Sequence, residues 1–314
     1  MDYFIGDGSF DYQLIFVLGT SRAGKSLFSR LLSTAENIDW IFEPQIVQTS
    51  ILLSQLGKLD ERYADNLLKA ACKEIINSDI LLRSANFRPN DMSSIYNYKD
   101  AVTIFERLVN INSREEVEEY IKSKNMYFIM DIPNLLPYVA YIKRVFPKAR
   151  IIHVVRNGYQ VAEEVSKKKW YSIERMRNRK DNYVFYWKSK DENGGGDFFL
   201  PWWLPRERKD DFIKGTDELR SVLYWNYSLN SLSNTEDTCV DMTVRYEDLV
   251  SEPKGVMRKV EKVVNCNWTS KSYFVINELK SRDVVIHKEQ ILNNLKDEDR
   301  ILFKQLLRRY HYEE

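Results

Sequence analysis

Residues 13–18 (QLIFVL) run apolar from Leu14 onward and stop at Gly19, the pattern of a strand covered on both faces. Leu27, Phe28, Leu31 and Leu32 then recur at helical spacing, so a helix follows the turn directly. Residues 39–42 read as a second short strand ending at Glu43-Pro44, and helical stretches cover 45–57 and 60–77. The segment 83–99 shows no period. Ser113 opens a helix, because Ser-Arg-Glu-Glu places Glu116 three residues on in the capping-box form. A strand over 126–130 and a helix through Leu135, Val139, Ile142 and Phe146 lead to a strand over 150–155. The next helix starts near Gly158. Strand, short helix and strand at this spacing make a βαβ unit and argue for a parallel sheet. A further strand over 240–246 precedes a helix around 253–264, and 219–227 reads as another helix. The fold class is α/β: three layers, a mostly parallel sheet flanked by helices. The glycines at 194–196 mark a loop that interrupts a domain rather than dividing two, so 1–314 is read as one domain.

Composition narrows the class without naming the chemistry. The chain has 314 residues, 44% hydrophobic and 30% charged, as a soluble globular protein does. Its formal charge of +1 advertises neither a nucleic-acid nor a membrane partner, so any site for an anion is local. The first eleven residues carry acids and glycines rather than a basic flank and a long apolar run, and no apolar stretch approaches the ~20 residues of a membrane helix. Cys72, Cys239 and Cys266 form no CxxC pair. A disulfide framework and a cysteine zinc site are not expected, and a reducing, cytoplasmic setting is.

The turn after the first strand reads GTSRAGKS at 19–26, which matches GxxxxGK[ST]. Gly19 and Gly24 let the backbone curl so that its N–H groups face a phosphate, and the helix behind adds its positive end. Lys25 supplies a point charge, and Ser26 binds either a phosphate oxygen or a magnesium ion. The competing view, a glycine turn with an incidental lysine, lacks the strand-before, helix-after context found here. An NTPase or nucleotide kinase would also need an acidic metal anchor on a neighbouring strand, and Asp131 at the end of YFIMD has that form. The plainer role for Asp131 is to cap the helix after Pro133.

Two later segments bear on the choice. RIIHVVRNG (150–158) delivers Arg156 to the carboxyl end of a strand, where ligands bind in open α/β sheets and where a guanidinium suits a phosphate. An arginine ion-paired at a strand end is the alternative. TVRYEDLVSEP (243–253) reads as a packing signature, with carboxylates near a helix start.

Taken in order, these segments resemble the sulfotransferase family that uses 3′-phosphoadenosine 5′-phosphosulfate (PAPS). Arg22-Ala23-Gly24-Lys25-Ser26-Leu27 is similar to that family's 5′-phosphosulfate loop, the segment from Ile151 to its 3′-phosphate motif, and Arg245–Leu249 with Pro253 to its YEDL segment. Pro133 to Ala149, with Phe146-Pro147, is similar to its VFP stretch. The resemblance spans about 14–264 and implies a P-loop sulfotransferase fold. It implies that Arg22 and Lys25 hold the 5′-phosphosulfate, with Ala23, Gly24, Ser26 and Leu27 around it, that Arg156 holds the 3′-phosphate, and that Glu43 is the general base. The chemistry asks for such a set: an acceptor hydroxyl loses its proton while cations neutralise the leaving phosphate. Glu43 reads equally as a surface carboxylate before a proline turn.

Three positions depart from the family pattern. Glu164 stands where a serine is usual, eight residues after Arg156; Asp131-Ile132 stands where a lysine precedes the proline; Lys25 replaces a threonine. A carboxylate beside a phosphate is repulsive, so either Glu164 points away or the 3′-phosphate is bound differently. FFLPWWLP (198–205) is either a lid over the acceptor, as part of an insert around 188–215, or a set of core aromatics. His153, inside a strand, is expected in the core. The expectation is a sulfotransferase moving a sulfuryl group from PAPS to a hydroxyl or amine of a small molecule or glycan, with PAPS or its bisphosphate product as ligand and no metal. The alternatives are a magnesium-dependent P-loop kinase or NTPase centred on Lys25, Ser26 and Asp131, and a non-catalytic nucleotide-binding relative. Acceptor identity and oligomeric state have no signature in the chain.

Overall fold

The computed structural model describes residues 10–178, 186–191, 196–233, 235–279 and 285–314, and the glycines at 194 and 195 lie outside them. Its strands are β1 (Gln13–Leu18), β2 (Ile38–Phe42), β3 (Tyr127–Asp131), β4 (Arg150–Val155), β5 (Tyr186–Lys190), β6 (Asp197–Pro201) and β7 (Met242–Arg245). Five of them form one sheet in the order β2-β3-β1-β4-β7. β1 is central and pairs in parallel with β3 and β4, while β2 pairs in parallel with β3. Leu14 to Leu18 are all buried, so the apolar run of β1 reflects a strand packed on both faces. The α/β class with a mostly parallel sheet holds.

The chain divides into two compact units. Among the described residues, the first takes 10–19, 24–154 and 235–279, and contains the five-stranded sheet. The second takes 20–23 and the described residues of 155–233 and 285–314.

In the first unit the helix Lys25–Ser33 follows β1, and Ser113 starts Arg114–Lys124 with the expected capping box, both reciprocal bonds to Glu116 being present. The helix Ala101–Asn110 has no counterpart in the sequence reading. Its Val102, Phe105 and Leu108 face solvent while Arg107 is buried, so its apolar residues do not mark the core face. Arg107 is inside because it forms a bidentate pair with Asp39 of β2, at 2.6 and 3.0 Å. Lys99 joins the same carboxylate at 3.0 Å and donates to the Ile38 and Ala35 carbonyls. Burial alone would raise the Asp39 pKa, but Arg107 and Lys99 hold it well below the carboxylate range.

In the second unit β5 and β6 form an antiparallel hairpin. The helices Gly158–Lys167, Asp217–Asn230 and Asp297–Arg309 pack around Trp225 and Phe303, whose ring centroids are 5.1 Å apart. A Cβ on Gly158 would lie 2.6 Å from the Phe303 ring and 3.0 Å from Trp225, so glycine is required for this approach. Phe198, Leu200 and Trp203 are buried, and Trp203 packs against Tyr171, Phe212, Tyr224 and Tyr227. Of the two roles open for 198–205, the core role applies to these side chains. His153 is buried in β4, as expected.

Asp79 lies beside Asp39, and burial together with that neighbour's charge pushes its pKa up to about 7. Between the unfolded value of about 4 and this folded value, the unfolded chain has lost the proton that the native state keeps. Stability should therefore fall as pH rises across that window and level off above it. Asp79→Asn, which cannot titrate and can still donate to Asp39, should remove about 2 kcal/mol of this loss between pH 5 and 8. Urea unfolding at the two pH values checks it: equal pH dependence in both proteins would exclude Asp79 as the titrating group.

Candidate anion-binding site

Parallel register brings the site residues of the first unit to one end of the sheet. Val17 of β1 and Phe42 of β2 both pair with Asp131, the last residue of β3, so Gly19 and Glu43 emerge beside it. Gly19 cannot carry a side chain there, because a Cβ would sit 2.3 Å from the Val154 carbonyl oxygen. Gly24 adopts φ 97°, and a Cβ would lie 2.5 Å from the Tyr246 ring. The Tyr-Glu-Asp-Leu segment therefore shapes the loop, since buried Tyr246 forms the wall against which it turns.

From Gly24 the helix Lys25–Ser33 starts with no acidic side chain in its first turn, which leaves its positive end for a ligand. Lys25 is only 7% exposed, and its charge acts on both Glu43 and Asp131. Asp131 is buried, and the hydroxyls of Ser26 and Ser29 lie close enough to its carboxylate to favour its charged form. Burial raises the Asp131 pKa, against the pull of Lys25 and Ser26.

Glu43 holds a left-handed backbone conformation, φ 44°, and its N–H donates to the Asp131 carbonyl at 3.0 Å. The residue is exposed, yet enough of its carboxyl is covered for desolvation to raise the pKa; Lys25 opposes the rise and Asp131 adds to it. Phe42 and Pro44, on either side of Glu43 in the chain, line a cavity of about 340 Å³ with Trp40, Ile46, Asp79 and Tyr98.

In the second unit, Arg22 also holds a left-handed conformation, φ 70°, and the Ser21 N–H donates to the Tyr224 hydroxyl at 2.8 Å. That bond gives Tyr224, on the helix Asp217–Asn230, a part in holding the loop. Arg156 is 2% exposed. Its Nε donates to Gln160 at 2.9 Å, and its Nη1 donates to the Arg22 carbonyl at 3.1 Å and to Glu164 Oε1 at 2.7 Å. Arg22 donates from Nε to Glu164 Oε2 at 2.6 Å, with Nη2 at 2.5 Å from the same oxygen. Burial would raise the Glu164 pKa, but the bonds and charges of Arg156 and Arg22 hold it below its usual value. Of the two outcomes foreseen for Glu164, pointing away is not what occurs: the carboxylate lies between the two arginines.

Among the described residues no cluster of three or more His, Cys, Asp or Glu side chains is arranged to hold a metal ion, and no helix is long and apolar enough to cross a membrane.

A parallel sheet with a glycine loop closing its central strand defines the class, and residues 14–189 match the sulfotransferase family. The match covers more than half of the chain, which therefore belongs to that family. No curated protein matches it by sequence. Solved structures similar to it include the sulfotransferase domain from the Synechococcus PCC 7002 olefin synthase, at 12% identity, covering 100% of both chains with a TM-score of 0.49. Another is sulfotransferase STF9 from Mycobacterium avium, at 13% identity over 98% of this chain and 79% of that one, TM-score 0.49. The sulfotransferase domain from the curacin biosynthetic pathway shares 12% identity over 97% and 99% of the two chains, TM-score 0.47. Likeness at this level says nothing about activity.

The main-chain contact at Gly19 sets a test. Gly19→Ala should lower stability by about 1–3 kcal/mol, since the Val154 carbonyl cannot rotate away as a side chain can. An unchanged denaturation midpoint would show that the loop opens freely.

Proposed function

We propose that the protein transfers a sulfuryl group from PAPS to a hydroxyl or amine of a small molecule or glycan. The observation that carries this reading is the placement of Lys25 near Glu43 at the mouth of a glycine loop, in a chain that belongs to the sulfotransferase family. The 5′ end of the donor fits the residues present. Gly19 and Gly24 leave a backbone cradle that side chains would fill, and Arg22, Lys25, Ala23, Gly24, Ser26 and Leu27 would hold the phosphosulfate. The 3′ end, assigned to Arg156, fits only once Glu164 has yielded that guanidinium.

When bound, the donor supplies the sulfuryl group and a phosphate leaving group. Lys25 neutralises charge that builds on the leaving oxygen, and the buried setting strengthens its effect. Glu43 takes the acceptor's proton on its carboxylate, and its raised pKa brings it closer to the range a general base needs. The cavity lined by Trp40, Phe42, Pro44 and Tyr98, two of which flank Glu43 in the chain, would give the acceptor an aromatic-walled place. A substrate cover around 188–215, in one sulfotransferase domain over 1–314, and a cytoplasmic setting belong to the same reading.

A second reading has its own support. Ser26 lies beside Asp131, and these are the two kinds of group that hold magnesium in P-loop NTPases and kinases.

Thermal stabilisation separates the two. Adenosine 3′,5′-bisphosphate at 100 times its dissociation constant should contribute about 2.7 kcal/mol, with or without EDTA. Stabilisation by ATP–magnesium alone, abolished by EDTA, would overturn the PAPS reading in favour of the NTPase. Arg156→Ala should weaken the bisphosphate more than adenosine 5′-phosphate; equal losses would remove the 3′-phosphate role.

A further inference from the structure

Glu164 occupies the donors of two arginines at once. Oε1 engages Arg156 and Oε2 engages Arg22, so one carboxylate spends each of its oxygens on a different guanidinium. Both bonds are charge-assisted and short, and Glu164 itself is only 11% exposed at its side chain. The helix Gly158–Lys167 fixes this geometry. Its N-terminal cap follows Arg156 directly, and Glu164 lies about two turns on, where a side chain reaches back toward the helix start. Gln160, one turn along, holds the Nε of Arg156 and keeps the guanidinium in plane.

The charges decide what such a site accepts. Two guanidinium groups and one carboxylate leave a net charge of +1, enough for one anionic group but opposed to a second. A phosphate brought to Arg156 would face the Glu164 carboxylate across a shared donor, a like-charge contact with little water to screen it. Arg22 differs: it is partly exposed, and it can meet a ligand on its open side while keeping its bond to Glu164.

We propose that Glu164 is an internal counter-anion of Arg156, and that it is the residue setting how strongly the site discriminates against nucleotides that carry a 3′-phosphate beside the 5′ group. The inference rests on the reading of Arg22 and Arg156 as the donor's anion holders. Under it a bisphosphate nucleotide binds only when the carboxylate leaves Arg156, and part of the ligand's interaction is spent on that displacement. A nucleotide with a single 5′-phosphate binds without disturbing it.

The experiment compares adenosine 3′,5′-bisphosphate with adenosine 5′-phosphate by calorimetry on the full chain, in wild type, Glu164→Ser and Glu164→Gln. Serine removes the carboxylate and leaves a hydroxyl that can donate to a phosphate. Glutamine keeps the shape, so it carries the test if the serine variant fails to fold. The ratio of the two affinities should move tenfold or more toward the bisphosphate in either variant. A purely structural role for Glu164 would weaken or spare both ligands alike, and an unchanged ratio with bisphosphate binding intact would overturn the proposal alone. Absence of bisphosphate binding from wild type and folded variants, with ATP–magnesium bound by all of them, would overturn the donor reading and this inference with it.

Discussion

The site depends on two places where the backbone comes too close to its surroundings to carry a side chain. Gly19 turns against a main-chain carbonyl of β4, and Gly24 turns against the ring of Tyr246. There the chain passes from a buried strand toward a helix, and in the first unit Lys25, Asp131 and Glu43 are placed by that turn or by the strand ends beside it. A parallel sheet supplies the rest. Strands that end at the same level deliver Asp131 and Glu43 to Lys25 without any of the three being near the others in sequence.

Much of the fold is legible in the chain because strand and helix periods are local signals. The strands of the main sheet fall within a residue or two of the apolar runs, the capping box at Ser113 forms as its residues dictate, and ordered motifs point to the family. What escapes such reading shares one cause, the need to know which distant residue a charge will meet. Arg107 and Lys99 sit 68 and 60 positions from Asp39, and nothing in their neighbourhood betrays the pairing. The helix Ala101–Asn110 is hidden because Val102, Phe105, Leu108 and Val109 lie outside and its arginine inside, the reverse of the usual rule. Asp131 reads locally as a helix cap or a metal anchor, while the Ser26 beside it belongs to a different strand's loop.

Glu164 shows how a correct physical worry can point to an unforeseen answer. The conflict between a carboxylate and a phosphate is visible in the chain, and repulsion leaves two outcomes: the side chain turns aside, or the 3′-phosphate is bound differently. In the structure, attraction to two guanidinium groups sets the position of the carboxylate, and burial strengthens it. The Tyr-Glu-Asp-Leu segment teaches the opposite lesson. Its tyrosine looks like generic packing, and its packing partner is the loop glycine.

The buried pairing at Asp39 also bears on how the outer side of β2 is satisfied. β2 is an edge strand of the sheet, and an open edge offers unpaired carbonyls to the strands of other molecules. Lys99 already donates to the Ile38 carbonyl at 2.7 Å, and the same ammonium is anchored by the Asp39 carboxylate. The charge cluster therefore ties up a carbonyl that β2 does not use for β3, which an apolar core of equal volume would leave without a donor.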